Sequence, residues 1–419
     1  MKLKIRYNTL IEIILGIILF GGVIISTLNL SNAIYYVVDA INIVLFLFTL
    51  KKVLKKGKIQ LNRTNRIILG LIVSTLIGIA INSVSIKLIL WGARNIFRYF
   101  LFYFSCMVLL CKEDVNKISD IILKVFWINL VLTIIQFFVL KIKGDYLGGI
   151  FGTKQGCNGA TSIFINIVLA IIISKYLNKE INLKTTLLYM ISYFIIAALT
   201  ETKGNFVFFV IIVAVALLIM KKSSRTIFFG ISAIIALIIG FNILLIYFPN
   251  SLGIILNLEK ANQYMDATYF GTTTFTRNAS LKVANEEFFK DDLLLYLFGF
   301  GIGNCDTSSY FSSPFYEKYG YMNYRQMTSS MTVLQLGYVG LILYLLFFAE
   351  LFIYFWKKST TIKVKEQNVY IVMAAILSIF AIVYSFYATV YIEAGYLLFF
   401  ALSIPNVLLK NAERNENIE

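Results

Sequence analysis

Apolar residues along this chain come in long unbroken runs, such as 206–220, separated by short polar segments in which Lys and Arg recur. One helix needs about 20 mostly apolar residues to cross a bilayer. Runs of that kind lie at 9–28, 33–50, 67–82, 88–110, 121–140, 159–177, 185–199, 206–220, 226–248, 331–356, 368–386 and 391–409. They predict twelve transmembrane helices. The last pair is the hardest to separate, because 368–409 is nearly continuous and divides only around 385–393. The roughly ten-residue alternating segments of a membrane β-barrel are absent from the pattern, which excludes that architecture. The expected fold is all-α and integral to the membrane, one polytopic domain over 1–419. Its one long polar segment, 249–330, falls between the ninth and tenth spans.

The connecting segments carry an orientation signal, since Lys and Arg accumulate on the cytoplasmic side. With the N-terminus inside, the segments 2–6, 51–66, 112–117, 175–184, 221–225, 357–365 and 410–414 hold 24 of the 38 basic residues. Both termini are then cytoplasmic and 249–330 lies outside. The first apolar run follows Lys2, Lys4 and Arg6 but lacks a small-residue cleavage site, so it reads as a retained helix. The 249–330 segment has six basic against eight acidic residues and many aromatics, which points to a folded cap and not a disordered linker. Within it, Leu281, Ala284, Phe288 and Phe289 form an apolar stripe that predicts a helix over 279–297.

Composition agrees and removes whole classes of function. The chain is 59% hydrophobic and 14% charged with mean hydropathy +0.80, whereas a soluble protein needs roughly 25% charged residues. Orientation accounts for most of the +16 net charge, so no nucleic-acid surface is expected. There is no His, which removes His-ligated metals and His general bases. Cys106, Cys111, Cys157 and Cys305 have no CxxC spacing, so no metal and no cofactor are expected.

Some basic residues run against the trend. In Trp91-Gly-Ala-Arg94-Asn-Ile-Phe-Arg98, the two Arg share one helical face. At 1.5 Å rise per residue, Arg98 lies on the order of 15 Å below the start of its span. A guanidinium at that depth costs at least about 2–3 kcal/mol unless it faces a partner or a cavity. Lys203, in the turn Thr200-Glu-Thr-Lys203-Gly-Asn205, and Lys141, Lys143 and Lys154 add positive charge on the outer side. Together they suggest an anionic ligand at the outer leaflet, for which the planar Arg fork is well suited.

Three stretches together resemble the O-antigen ligase and polysaccharide polymerase (Wzy-like) family of bacterial envelope enzymes. They are Gly149-Ile-Phe-Gly152-Thr-Lys154-Gln-Gly-Cys-Asn158, the 200–205 turn, and Arg277 leading through a helix to Gly299-Phe-Gly301-Ile-Gly303, followed by Gly337-Tyr-Val-Gly340. The family's ligases carry a His before that last span, and this chain has none, which favours a polymerase. The resemblance implies transfer of glycan from an undecaprenyl-pyrophosphate carrier to another carrier-linked repeat unit, outside the bacterial cytoplasmic membrane. The implied partners are those lipid-linked oligosaccharides, membrane lipids, a flippase and a chain-length regulator. Arg98, Lys203, Arg277, Arg325 and Lys154 are then expected at the pyrophosphate. Deprotonating the acceptor falls to a carboxylate, with Asp306, Glu317 and Glu393 as candidates, each otherwise a solvated or paired surface acid. A lipid-linked oligosaccharide flippase or a ligase is the alternative. The 29–32 connector is expected to be too short to hold a site.

Overall fold

The computed structural model describes residues 7–55, 63–219, 223–249, 257–266, 274–308, 310–362 and 364–416. Lys2, Lys4, Arg6, Lys56, Lys58, Lys221, Lys222 and Lys363 of the orientation signal lie outside the described residues, as do parts of the 249–330 segment. Among the described residues the chain is all-helical, with one isolated bridge between Thr307 and Ser312. Before the long polar segment run α1 (Tyr7–Thr27), α2 (Ile34–Leu54), α3 (Arg63–Ile81), α4 (Ile86–Leu109), α5 (Lys112–Phe138), α6 (Cys157–Leu177), α7 (Leu183–Leu199), α8 (Gly204–Ile219) and α9 (Ser224–Tyr247). The segment itself forms α10 (Leu258–Met265), α11 (Ser280–Val283), α12 (Leu293–Phe298) and α13 (Pro314–Tyr319). Then follow α14 (Thr328–Thr361), α15 (Lys365–Tyr387) and α16 (Gly395–Glu416).

Seven of these helices, α1, α3, α5, α6, α9, α14 and α15, are long and apolar enough to cross a membrane. The apolar α7, α8 and the 395–410 part of α16 are shorter. This fits an all-α, multi-pass membrane protein. The burial pattern separates inner from outer helices. α6 is buried on nearly every side, as a helix that is apolar all round must be. By contrast, α9 leaves Ile227, Phe228, Ile231, Ile234 and Ile238 exposed. In water each square ångström of such a face would cost about 25 cal/mol, a penalty that lipid removes. α4 packs between α2 and α16, and α14 runs along α15 and α3.

Two expected elements differ in extent. α5 starts at Lys112 instead of 121, because Cys111 and Asp114 form a capping box that begins the helix early. The single helix expected over 279–297 is interrupted. α11 passes into a π-turn at Ala284–Phe289, the chain turns at Lys290 with φ 47°, and Asp292 caps a new helix by accepting from the Leu294 and Leu295 amides. The stripe residues Leu281, Ala284, Phe288 and Phe289 still share one apolar cluster, with Phe275, Cys305, Tyr324 and Met331.

The glycines of 299–303 and 337 explain how this segment is fastened. Gly303 has φ +81°, and a side chain there would collide with the Leu88 carbonyl of α4. Gly337 breaks α14 with φ 66° and ψ −172°, and its lack of a side chain lets the Leu297 carbonyl approach. Near that break the Leu334 carbonyl accepts from Phe300 N at 2.8 Å, and the Gln335 side chain accepts from the Gly303 amide. Asn82, just after α3, donates to Gly299 O, and Trp91 of α4 donates to Thr307 O. The segment is thus tied to α3, α4 and α14 by backbone polar groups.

Candidate functional site

Where α2, α4, the 388–394 link and the 299–326 chain converge, a cavity of about 260 Å³ is lined by Trp91, Arg94, Asn95, Arg98, Asp306, Arg325, Tyr391 and Glu393, among others. Arg94 and Arg98, one turn apart on α4, both reach Asp39 of α2. Arg94 Nε donates to Asp39 Oδ2 at 2.7 Å, and Arg98 Nη1 lies 3.4 Å from Oδ1. The Tyr396 hydroxyl also donates to Oδ1, at 2.7 Å. Arg94 sits over the Tyr36 and Trp91 rings, 4.9 and 4.6 Å from their centroids. Arg98 is 5% exposed. Its Nη2 donates to the Tyr99 hydroxyl at 2.6 Å, and its Nε has no hydrogen-bond partner.

This arrangement has an electrostatic consequence. Buried charge is tolerated when paired, yet here one carboxylate serves two guanidiniums. Arg325 adds a third at the cavity wall, but its Nη2 lies 3.2 Å from Asp306 Oδ1. The α2–α4 cluster therefore leaves an unused buried donor, Arg98 Nε, which is what an oxyanion ligand would complete, and Glu393 is a further carboxylate on the same cavity wall.

A larger cavity, about 720 Å³, shares a wall of Arg325, Thr389, Ile392 and Glu393 with the first. Its lining includes Asn32, Tyr35, Asp145, Lys154, Asn158, Arg277, Asn323 and Tyr387. Arg277 Nε donates to the Tyr387 carbonyl at 3.1 Å, and the guanidinium lies over the Tyr387 ring. Lys154 Nζ donates to Asn32 Oδ1 at 3.1 Å. The loop carrying Lys154 and Asn158 is held from α5: Gln136 both donates to Gly149 O and accepts from its amide, and Asn129 accepts from Ile150 N. The polar chemistry is amide, hydroxyl, guanidinium and ammonium, with the carboxylates of Asp145 and Glu393, which suits a hydroxylated ligand carrying an anionic group.

The structure brings together Arg98, Arg325 and Asp306 at the smaller cavity and Arg277, Lys154 and Arg325 at the larger. Lys203 and Glu317 line neither. Lys203 pairs with Glu201 at 3.1 Å, and Glu317 is exposed in the first turn of α13. Asp306 is paired with Arg325, one of the two states expected from sequence, but it is not at the surface. It is fully buried, accepting from Asn95 Nδ2 and from the Thr307 amide at 2.8 Å. Burial pushes its carboxyl above the usual range, against the opposing pull of Arg325 and Asn95. Asn32, at the end of the 29–32 connector, contributes to a cavity wall despite the brevity of that connector.

Asp39, Asn95 and Tyr396 were not singled out by sequence. Asp39 had a usable signal, a lone carboxylate inside an apolar run, which is costly without a partner. Asn95 and Tyr396 had none, because their roles follow from which helices meet. Among the described residues no group of three or more Cys, Asp or Glu is placed to hold a metal ion. The chain matches no protein-family model and no curated protein.

Proposed function

We propose that this chain is a glycosyltransferase that polymerises undecaprenyl-pyrophosphate-linked oligosaccharide repeat units on the outer face of the bacterial cytoplasmic membrane. In this reading it crosses the membrane twelve times, with both termini cytoplasmic and 249–330 folded as an outer cap. The observation that supports it most is the pair of half-buried Arg94 and buried Arg98, sharing one carboxylate beside a cavity under that cap. Departure of a pyrophosphate builds negative charge on its oxygens, so fixed cations stabilise the transition state more than the ground state. Arg98 and Arg94, with Arg325, supply that charge, and Arg277 and Lys154 face the larger cavity where the glycan chains would lie. The donor is already activated, so the reaction needs no nucleotide or redox group.

The test is genetic and chemical. A deletion strain should accumulate undecaprenyl-linked single repeats on the outer face and lose polymer, and the wild-type gene should restore it. Accumulation on the inner face would instead indicate a flippase. Arg98→Ala and Arg277→Ala should each abolish polymer while the protein still inserts, and normal chain lengths from both would remove the site assignment.

A further inference from the structure

We propose that Glu393 is the general base of this site, taking the proton from the acceptor hydroxyl. The inference rests on the polymerase reading and adds the one group that reading lacks. Four carboxylates line or back the two cavities, and three are engaged. Asp39 is held by Arg94, Arg98 and Tyr396. Asp306 is held by Arg325, Asn95 and Thr307. Asp145 accepts from Asn158 Nδ2 at 3.0 Å. The Glu393 carboxylate alone among the four makes no hydrogen bond or ion pair within the described residues, and it lies in the wall common to both cavities.

Its backbone, by contrast, is firmly placed. The 388–394 link connects α15 to α16. Val390 N donates to Thr328 Oγ1 at 2.7 Å, and Thr328 N donates to the Ala388 carbonyl at 3.2 Å. The Ile392 carbonyl accepts from the Tyr99 hydroxyl at 2.8 Å and from Gly395 N at 2.9 Å. The Tyr391 hydroxyl bonds Thr332 Oγ1 at 2.9 Å. A fixed main chain with an unengaged carboxylate is how a base is positioned without being neutralised by a neighbour. Glu393 lines the same cavity as Arg94 and Arg98, so base and cations flank one space.

The step balances as a single displacement. The acceptor oxygen forms a bond to the donor's anomeric carbon while its proton passes to the Glu393 carboxylate. The bond from that carbon to the phosphate oxygen breaks, and its electron pair leaves with undecaprenyl pyrophosphate, facing Arg94 and Arg98.

The test compares wild type, Glu393→Gln and Glu393→Asp by complementation of the deletion strain, with each full-length protein also purified in nanodiscs. General-base catalysis contributes about 100- to 10,000-fold. Glu393→Gln should therefore lower polymer formation at least about 100-fold, yet still bind undecaprenyl pyrophosphate at least as tightly as wild type. Glu393→Asp, which keeps a carboxylate, should make more polymer than the Gln variant. Polymer at the wild-type level from Glu393→Gln overturns the base and leaves the polymerase reading standing. Loss of undecaprenyl pyrophosphate binding in that variant also overturns it, by moving the role to the donor. A wild-type gene that restores no polymer overturns the polymerase reading itself, and the base with it.

Discussion

Two buried polar clusters sit in this apolar bundle, and they solve the same problem in opposite ways. In the first, Ser162 and Asn166 of α6, Tyr193 of α7 and Asn205 of α8 bond one another, the Thr202 hydroxyl and nearby backbone. Ser162 Oγ and Asn166 Nδ2 both donate to Asn205 Oδ1, Tyr193 donates to Asn166 Oδ1 and to the Asn205 carbonyl, and Asn205 Nδ2 donates to Thr202. That cluster is neutral and closed. The second, Asp39, Asn42, Arg94, Arg98 and Tyr396, is charged, leaves Arg98 Nε and Asn42 Oδ1 unbonded, and borders a cavity. A closed neutral network fixes helices relative to one another. An open charged one costs stability and is retained where a ligand completes it.

The contrast can be broken most directly at Arg98. Arg98→Lys keeps the charge but removes the fork that spans Asp39 and Tyr99, and should reduce polymer at least about 100-fold, read as loss of the glycan ladder on a gel. Full-length polymer from this variant would erase the distinction. Next in size, Asp39→Ala leaves two guanidiniums without their shared partner, which should cost about 3–5 kcal/mol in denaturant unfolding of the purified protein. Asn205→Ala should cost less, about 1–3 kcal/mol, and leave polymer made per folded molecule unchanged. An Asn205 variant that is stable but inactive would make the closed cluster functional after all. The smallest effect belongs to Asp306. Its carboxyl is raised, so the native state holds that proton to higher pH than the unfolded chain does. The resulting stability is present below the ordinary Asp range and is lost as pH rises through the folded value. Asp306→Asn should flatten that part of the melting-temperature profile above about pH 4, and an unchanged profile would contradict the buried assignment.

Much of this was legible in the sequence, and the reasons it stopped are physical. Long apolar runs determine helices almost alone, so the twelve expected segments fall on helices, seven of them long and apolar enough to cross a membrane, with ends shifted where caps such as Asp114 operate. Arg98 stood out because depth in a span makes charge expensive. Its partner could not be named, because α2 and α4 meet through packing that no local pattern encodes. The burial of Asp306 was missed for a related reason: a carboxylate in a polar stretch looks like a surface acid, solvated or paired, until Asn95 and Arg325, from elements distant in sequence, enclose it. The interrupted helix at 290–292 shows the other limit, since the apolar stripe there survives a change of backbone geometry that spacing alone does not reveal.

The link at 388–394 is gripped by Tyr99 from α4 and by Thr328 from α14, while Arg277 holds the carbonyl of Tyr387 just before it. Positions that grip one short peptide cannot drift independently. Paired substitutions at Tyr99 and Thr328 should depart from additivity, while Thr328 combined with Asn205, which shares no contact with the link, should add. Over evolutionary time these residues would change as a set or not at all, which makes their joint variation among homologues a historical record of the constraint on Glu393.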